Sequence, residues 1–349
     1  MTEAALHIRI ASQIRVRLAQ VGGATVALTL IGLMTRAITV ITQILIARHF
    51  GTTAASDAFF ATEIIPDVFV NLLASGLGMV FIPIYAEYRV QSGDEEAWRF
   101  ASAFLVGSTL LSVLFAGCIL IGAPLLISLI APGFDGEARA MAIHLMRIMA
   151  ISMLLLGLNA GLRGLLQSNR NFLAPDLARF VYTCVLCVAA WLFSGRFGIY
   201  SLGWGIVVGV GLQFGLQLLS ATRQKLLHPE WTLDHPGARR AGRQLLPLVV
   251  AISWTSVMFV LDRMAASGMA EGSIAAINYA NRMIMLPVGI FAIPLQTTLY
   301  PTLAQPGRSR QSQTACRHDA DRHPRPALRD HACLCGSVDP ECAAHSAAV

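Results

Sequence analysis

Eight apolar stretches dominate the chain: 22–47, 58–86, 98–122, 139–162, 175–194, 199–222, 244–266 and 274–303, each set off from the next by a short polar or Gly/Pro-containing break. About 20 consecutive apolar residues make a helix long enough to cross a bilayer. In hydrocarbon every backbone N–H and C=O must find its partner within the chain, so stretches of this kind fold as helices. Composition agrees, with 55% of the 349 residues hydrophobic and 13% charged, against about 25% charged in an ordinary soluble domain. The pattern excludes a soluble globular enzyme. It predicts an all-α, polytopic transmembrane helical bundle of about eight spans.

Charge placement orients that bundle. The connections on one side carry Arg9, Arg15, Arg17, Arg89, Arg99, Arg163, Arg170, Arg179, Arg223, Lys225, Arg239, Arg240 and Arg243, and those on the other only Arg48, Arg139, Arg196 and Arg263. Basic residues gather beside the cytoplasmic ends of spans, so the N-terminus and the end of the eighth span are expected in the cytoplasm. The formal net charge of +6 therefore reports topology, and no nucleic-acid partner is implied. The first apolar stretch is longer than a signal-peptide core and lacks a small-x-small cleavage site, so it reads as an uncleaved span.

Cys118, Cys184 and Cys187 lie inside apolar stretches, and Cys316, Cys333, Cys335 and Cys342 lie in the last 34 residues. No disulfide framework follows from that distribution. His318, His323 and His331 accompany the last four cysteines without the paired spacing of a zinc module, so no metal is expected. From Ala304 onward apolar periodicity is lost, and 304–349 reads as a disordered segment. Its Ala/Arg/Pro/His/Cys mixture is that of a GC-rich coding region translated out of frame, with the natural protein continuing into further spans.

Ionisable groups at membrane depth carry the functional signal, because a central charge costs about 2.5–3.5 kcal/mol on insertion scales. Thr25, Thr29, Gly32, Arg36, Thr39 and Gln43 recur at three- and four-residue steps and share one face of the first span. In the second, Glu63, Asp67 and Asn71 follow at i, i+4 and i+8, with Pro66 among them as a bend. In the eighth, Asn278 and Arg282 sit one turn apart, and Pro287, Pro294 and Pro301 recur every seven residues. The functional reading places these groups around a wet cavity, with Arg36 as the partner of Glu63 and Asp67. The plain alternative is buried pairs that fix helix packing. Gly157/Gly161, Gly205/Gly209 and Gly211/Gly215 have the spacing that lets helices approach closely. There is no phosphate loop, no H-E-x-x-H and no G-x-S-x-G elbow, so no enzyme and no cofactor is expected.

The segment Met34 to Arg89 resembles the opening helices of the MurJ/MviN family of lipid II flippases. The resemblance rests on Thr35-Arg36, Ala47-Arg48-x-Phe50-Gly51, Ser56-Asp57-Ala58-Phe59-Phe60, Pro66, Gly76 and the run Phe81-Ile82-Pro83 to Ala86-Glu87-Tyr88. Further along, Ala131-Pro132-Gly133-Phe134, the Gln167 to Pro175 loop, Tyr279-Ala280-Asn281-Arg282, Pro287 and Leu299 to Leu303 fall in the family's order, so the likeness covers roughly 20–303. It implies an exporter fold of the multidrug/oligosaccharidyl-lipid/polysaccharide superfamily, with two lobes, fourteen spans and alternating access. The implied substrate is an undecaprenyl-diphosphate-linked saccharide, moved across the bacterial cytoplasmic membrane for peptidoglycan synthesis, with membrane lipids and cell-wall synthesis proteins as partners. Matched by position, Arg36 and Arg282 correspond to cavity arginines that bind substrate, with Asn278 and Gln43 beside them. Asp57 matches a functional aspartate at the start of the second helix, and Glu63, Asp67 and Asn71 line the cavity. A cap on helix two is the other role open to Asp57.

Thr42, Val70 and Asn71 stand where the family pattern has arginine, so the implied cavity is less cationic. That leaves open another lipid-linked polysaccharide precursor, a drug or ion exporter of the same superfamily, or a non-transporting membrane scaffold. The implied organisation is a cytoplasmic segment at 1–21, a six-helix N-terminal lobe at 22–222, a basic cytoplasmic loop at 223–243, the first two helices of a C-terminal lobe at 244–303, and the segment 304–349. The topology has a direct check: alkaline phosphatase fused after Arg243 should be inactive, and fused after Arg196 active. The reverse result would invert the orientation.

Overall fold

The computed structural model describes residues 2–227, 232 and 235–288, with most side chains from Val26 onward. Ten α-helices follow one another among these residues: α1 (Thr2–Phe50), α2 (Ala54–Gly76), α3 (Ile82–Gln91), α4 (Asp94–Ile130), α5 (Gly136–Ser168), α6 (Leu173–Val188), α7 (Ser194–Phe197), α8 (Tyr200–Arg223), α9 (Pro236–Ser267) and α10 (Ser273–Pro287). Two π-helical turns, Leu77–Phe81 and Ala189–Phe193, join α2 to α3 and α6 to α7. Among the described residues there are no strands.

Among the described residues, five segments are long and apolar enough to cross a membrane: Val26–Phe50, Asp94–Ile130, Gly136–Ser168, Leu173–Phe197 and Tyr200–Arg223. The other three expected spans fall on α2 with α3, on α9 and on α10, and are not among those five. α1 runs back to Thr2 as one helix of 49 residues, about 70 Å at 1.5 Å per residue. α9 begins at Pro236, within the basic segment 223–243. Proline is pre-organised for the first helical position, and the His235 ring, accepting from the Gly237 N–H at 3.0 Å, caps the helix. The tail after Leu303, Pro294, Pro301 and the Leu299 to Leu303 match lie outside the described residues.

The chain divides into two compact units, 1–279 and 280–349, and all the packing below is within the first. α5 is its centre, touching α2, α4 and α8, while α6 packs on α1 and α8. One apolar core gathers Phe59, Phe60, Ile127, Met146, Met149, Met153 and Leu202. A second gathers Phe81, Phe100, Leu105, Leu165 and Leu166. Lipid tails are as apolar as leucine, so burial alone does not hold such helices together and close backbone approach must contribute.

The glycine pairs supply that approach, and not equally. A Cβ at Gly157 would collide with the Ser112 hydroxyl and the Ser108 backbone, and one at Gly161 with Leu105, so both seat α5 on α4. Ser108 adds a hydrogen bond to the Gly157 carbonyl at 3.2 Å. Gly205 and Gly209 likewise meet Ala189 and Tyr182 of the preceding segment, whereas a Cβ at Gly215 would meet nothing within 4 Å. Gly157→Ala should therefore cost about 1–3 kcal/mol through overpacking, read as a lowered Tm in detergent, while Gly215→Ala should leave Tm unchanged or raised. Equal effects would refute this division of labour.

Candidate functional site

α1 ends at Phe50 because Gly51 adopts φ +56° and returns its N–H to the Ala47 carbonyl at 2.9 Å. The short turn that follows is fixed by Ser56, whose hydroxyl donates to the Gly51 and Thr53 carbonyls and accepts from the Thr53 N–H. This brings Asp57 to the first turn of α2, just before the apolar stretch 58–86, where it is 4% exposed.

The Asp57 carboxylate does not cap α2, one of the two roles left open for it. Oδ2 accepts from the Gly272 N–H and Oδ1 from the Ala275 N–H, each at 2.7 Å, so it caps α10, 215 and 218 residues away in the chain. Burial raises the pKa of Asp57 from its ordinary value, and the hydrogen bonds from Ala275 and Gly272 act in the opposite sense. The exchange is reciprocal, since the Ala54 N–H at the start of α2 donates to Glu271 Oε1 at 2.8 Å. Two helices thus trade carboxylate caps, each supplying what the other's bare first turn requires.

Surrounding contacts lock the exchange. Tyr279 donates to the Gly51 carbonyl at 3.1 Å and sets its ring edge-on to Phe60, with centroids 5.3 Å apart. Arg263 Nε donates to the Phe60 carbonyl at 3.2 Å, and the Gly133 N–H to Ser267 Oγ at the same distance. Gly272 has φ +88°, and a Cβ there would meet the Thr52 backbone. Glu271 and Gly272 were missed in the sequence; an acidic residue and a glycine directly before a helix were the available signal.

The other expected residues divide. Gln43 and Asn278 are 8% and 6% exposed, and their amide oxygens have no hydrogen-bond partner among the described residues. Arg36 lies on the exposed face of α1, Glu63 is half-buried on α2, and Asp67 and Asn71 are exposed one and two turns further on. Arg282 is half-buried on α10. The threonines of α1 satisfy themselves, Thr35, Thr39 and Thr42 donating to the carbonyls of Ile31, Thr35 and Ile38 at 2.7–2.8 Å. The polar stripe therefore runs from an open surface at Thr29 to Arg36 into the buried amide of Gln43. No group of three or more metal-ligating side chains occurs among the described residues.

Helices of membrane-crossing length, with helix starts capped by carboxylates from distant parts of the chain, are the architecture of a polytopic membrane protein. Solved structures share the fold. One described as lipid II flippase MurJ in an inward closed conformation matches with a TM-score of 0.65 and 24% identity over 78% of this chain and 57% of its own. An inward-facing multidrug resistance MATE family transporter matches at 0.57 and 17% identity, over 72% and 58%.

The family profile of lipid II flippase MurJ matches residues 46–321, and the chain belongs to that family. It is 29% identical over 301 residues to the lipid II flippase MurJ of Burkholderia cenocepacia, covering 82% of this chain and 56% of that protein. To the probable lipid II flippase MurJ of Rhizobium tropici it is also 29% identical over 301 residues, covering 82% and 54%. The chain thus spans somewhat more than half the length of these relatives.

The cap exchange yields a direct test. Asp57→Ala leaves two buried N–H groups without acceptors, about 1–3 kcal/mol for each such group, and should lower Tm in detergent; Asp57→Asn, which keeps one acceptor oxygen, should recover part of the loss. Gly272→Ala should destabilise on backbone grounds alone. An Asp57→Ala protein with unchanged Tm would show that the bridge contributes nothing.

Proposed function

We propose that this chain forms the first lobe and the opening of the second lobe of a flippase that moves an undecaprenyl-diphosphate-linked cell-wall precursor, of lipid II type, across the bacterial cytoplasmic membrane. The reading draws on membership of the lipid II flippase family and on one observation, the traded caps between α2 and the α9–α10 turn. Alternating access needs a contact that closes one side of the cavity and can be given up as a unit. Two carboxylates holding three backbone N–H groups make a specific contact of that kind. With the N-terminus in the cytoplasm, this contact lies at the outer face, and the lobes divide within 223–243.

A polar headgroup and diphosphate need a hydrated, cationic path while the polyprenyl tail stays in lipid. In this reading Arg36 and Arg282 hold diphosphate oxygens through forked hydrogen bonds. Gln43 and Asn278 offer amides to the saccharide, and Glu63, Asp67 and Asn71 line the path. Arg36→Ala should abolish movement of lipid-linked substrate by the full-length protein in proteoliposomes, scored by headgroup accessibility, without loss of membrane insertion. Arg36→Lys should keep a fraction of the rate, having the charge but not the fork. Growth of a flippase-deficient strain rescued fully by Arg36→Ala would sink the assignment.

A further inference from the structure

The far end of α9 carries a second tie to α3 and α4, built around a buried histidine. His235 is 3% exposed. Its Nε2 lies 3.0 Å from Glu96 Oε1, and its Nδ1 accepts from the Gly237 N–H, also at 3.0 Å. The ring stands edge-on to Tyr88 and beside Phe100, with centroids 4.9 and 6.0 Å away. A Cβ on Gly237 would press into Tyr88 and Phe100, so the helix start is seated directly on them. Arg240 reaches both carboxylate oxygens of Glu87 at 3.0 Å, and the Thr232 N–H donates to Ser102.

We infer that His235 is a positioning residue for transport, the pin of an inner latch that holds the first helix of the second lobe on the first lobe only while its imidazole is neutral. The inference rests on the flippase reading for its place in the cycle, but the latch itself is a local matter of hydrogen-bond polarity. An imidazole that accepts a backbone N–H at Nδ1 and donates to a carboxylate through Nε2 carries one proton. A second proton would sit on Nδ1, facing the Gly237 N–H, and the cap would become a meeting of two donors. It would also add positive charge at the positive end of the α9 dipole, close to Arg239 and Arg240.

Glu96 opposes this by favouring the imidazolium at Nε2, but Arg99 shares that carboxylate at 3.6 Å. Tyr88 contributes its ring face-on to the latch edge, and Glu87 is engaged by Arg240. The lost cap decides the sign: closing the latch expels a proton, so acid opens it. Imidazole is the side chain whose charge changes within the physiological pH range.

The test uses the full chain in nanodiscs, with native cysteines replaced by serine and spin labels at Val90→Cys and Gly242→Cys, two positions with room for a label. The label separation should lengthen between pH 8 and 5.5, with the open-to-closed ratio rising by up to about tenfold per pH unit for one linked proton. His235→Asn keeps a capping side chain without a titrating proton, and should give a separation that does not change with pH. Glu87→Gln should favour the open form at every pH and leave the slope intact. A wild-type separation independent of pH, a persisting slope in His235→Asn, or a slope lost in Glu87→Gln would each overturn the inference. Loss of transport with the pH response intact would count against the flippase reading instead.

Discussion

A helix start buried in protein or hydrocarbon leaves backbone N–H groups that water cannot satisfy. The chain meets this constraint by having helices cap one another across long sequence distances. Asp57 serves Gly272 and Ala275, Glu271 serves Ala54, and His235 serves its own helix while reaching Glu96 on another. These ties bring α9 and the start of α10 onto α2 and α4. Without them, the apolar faces of α9 would have little to choose between protein and lipid, since both are equally apolar.

Small residues solve the complementary problem around α5. Gly157 and Gly161 let α4 and α5 approach backbone to backbone, and Gly205 and Gly209 do the same for α6 and α8. The result is a block centred on α5, against which α9 packs through α2 and α4 and is tied by directional hydrogen bonds near both ends. Packing and capping thus divide the work: dispersion at close range fixes what stays together, and directional hydrogen bonds hold what the proposed cycle must release.

The bundle was legible in the sequence because hydrophobic length is a local property. The five segments that qualify as spans among the described residues coincide closely with expected ones. The ends of α9 and the role of Asp57 were not legible in the same way. Asp57 carries the ordinary signature of a cap in its own helix, and nothing within 200 residues reveals that its partners belong to α10. The start of α9 at Pro236 was obscured by Arg239, Arg240 and Arg243, whose charges read as loop although they occupy the first turns of a helix. The threonines of α1 misled in another sense. Their spacing marked a polar stripe, but Thr35, Thr39 and Thr42 spend their hydroxyls on the preceding turn.

α9 spans 32 residues, about 48 Å at 1.5 Å per residue, and it is fastened near both ends, by His235 and Arg240 at one and by Arg263 and Ser267 at the other. Pro247, about a third of the way along, removes one backbone hydrogen bond and permits a bend there. A beam fastened twice cannot tilt until one fastening lets go. Movement of either end of α9 therefore depends on the other: release of one contact leaves the helix hinged on the remaining one, with Pro247 as the place where it can bend.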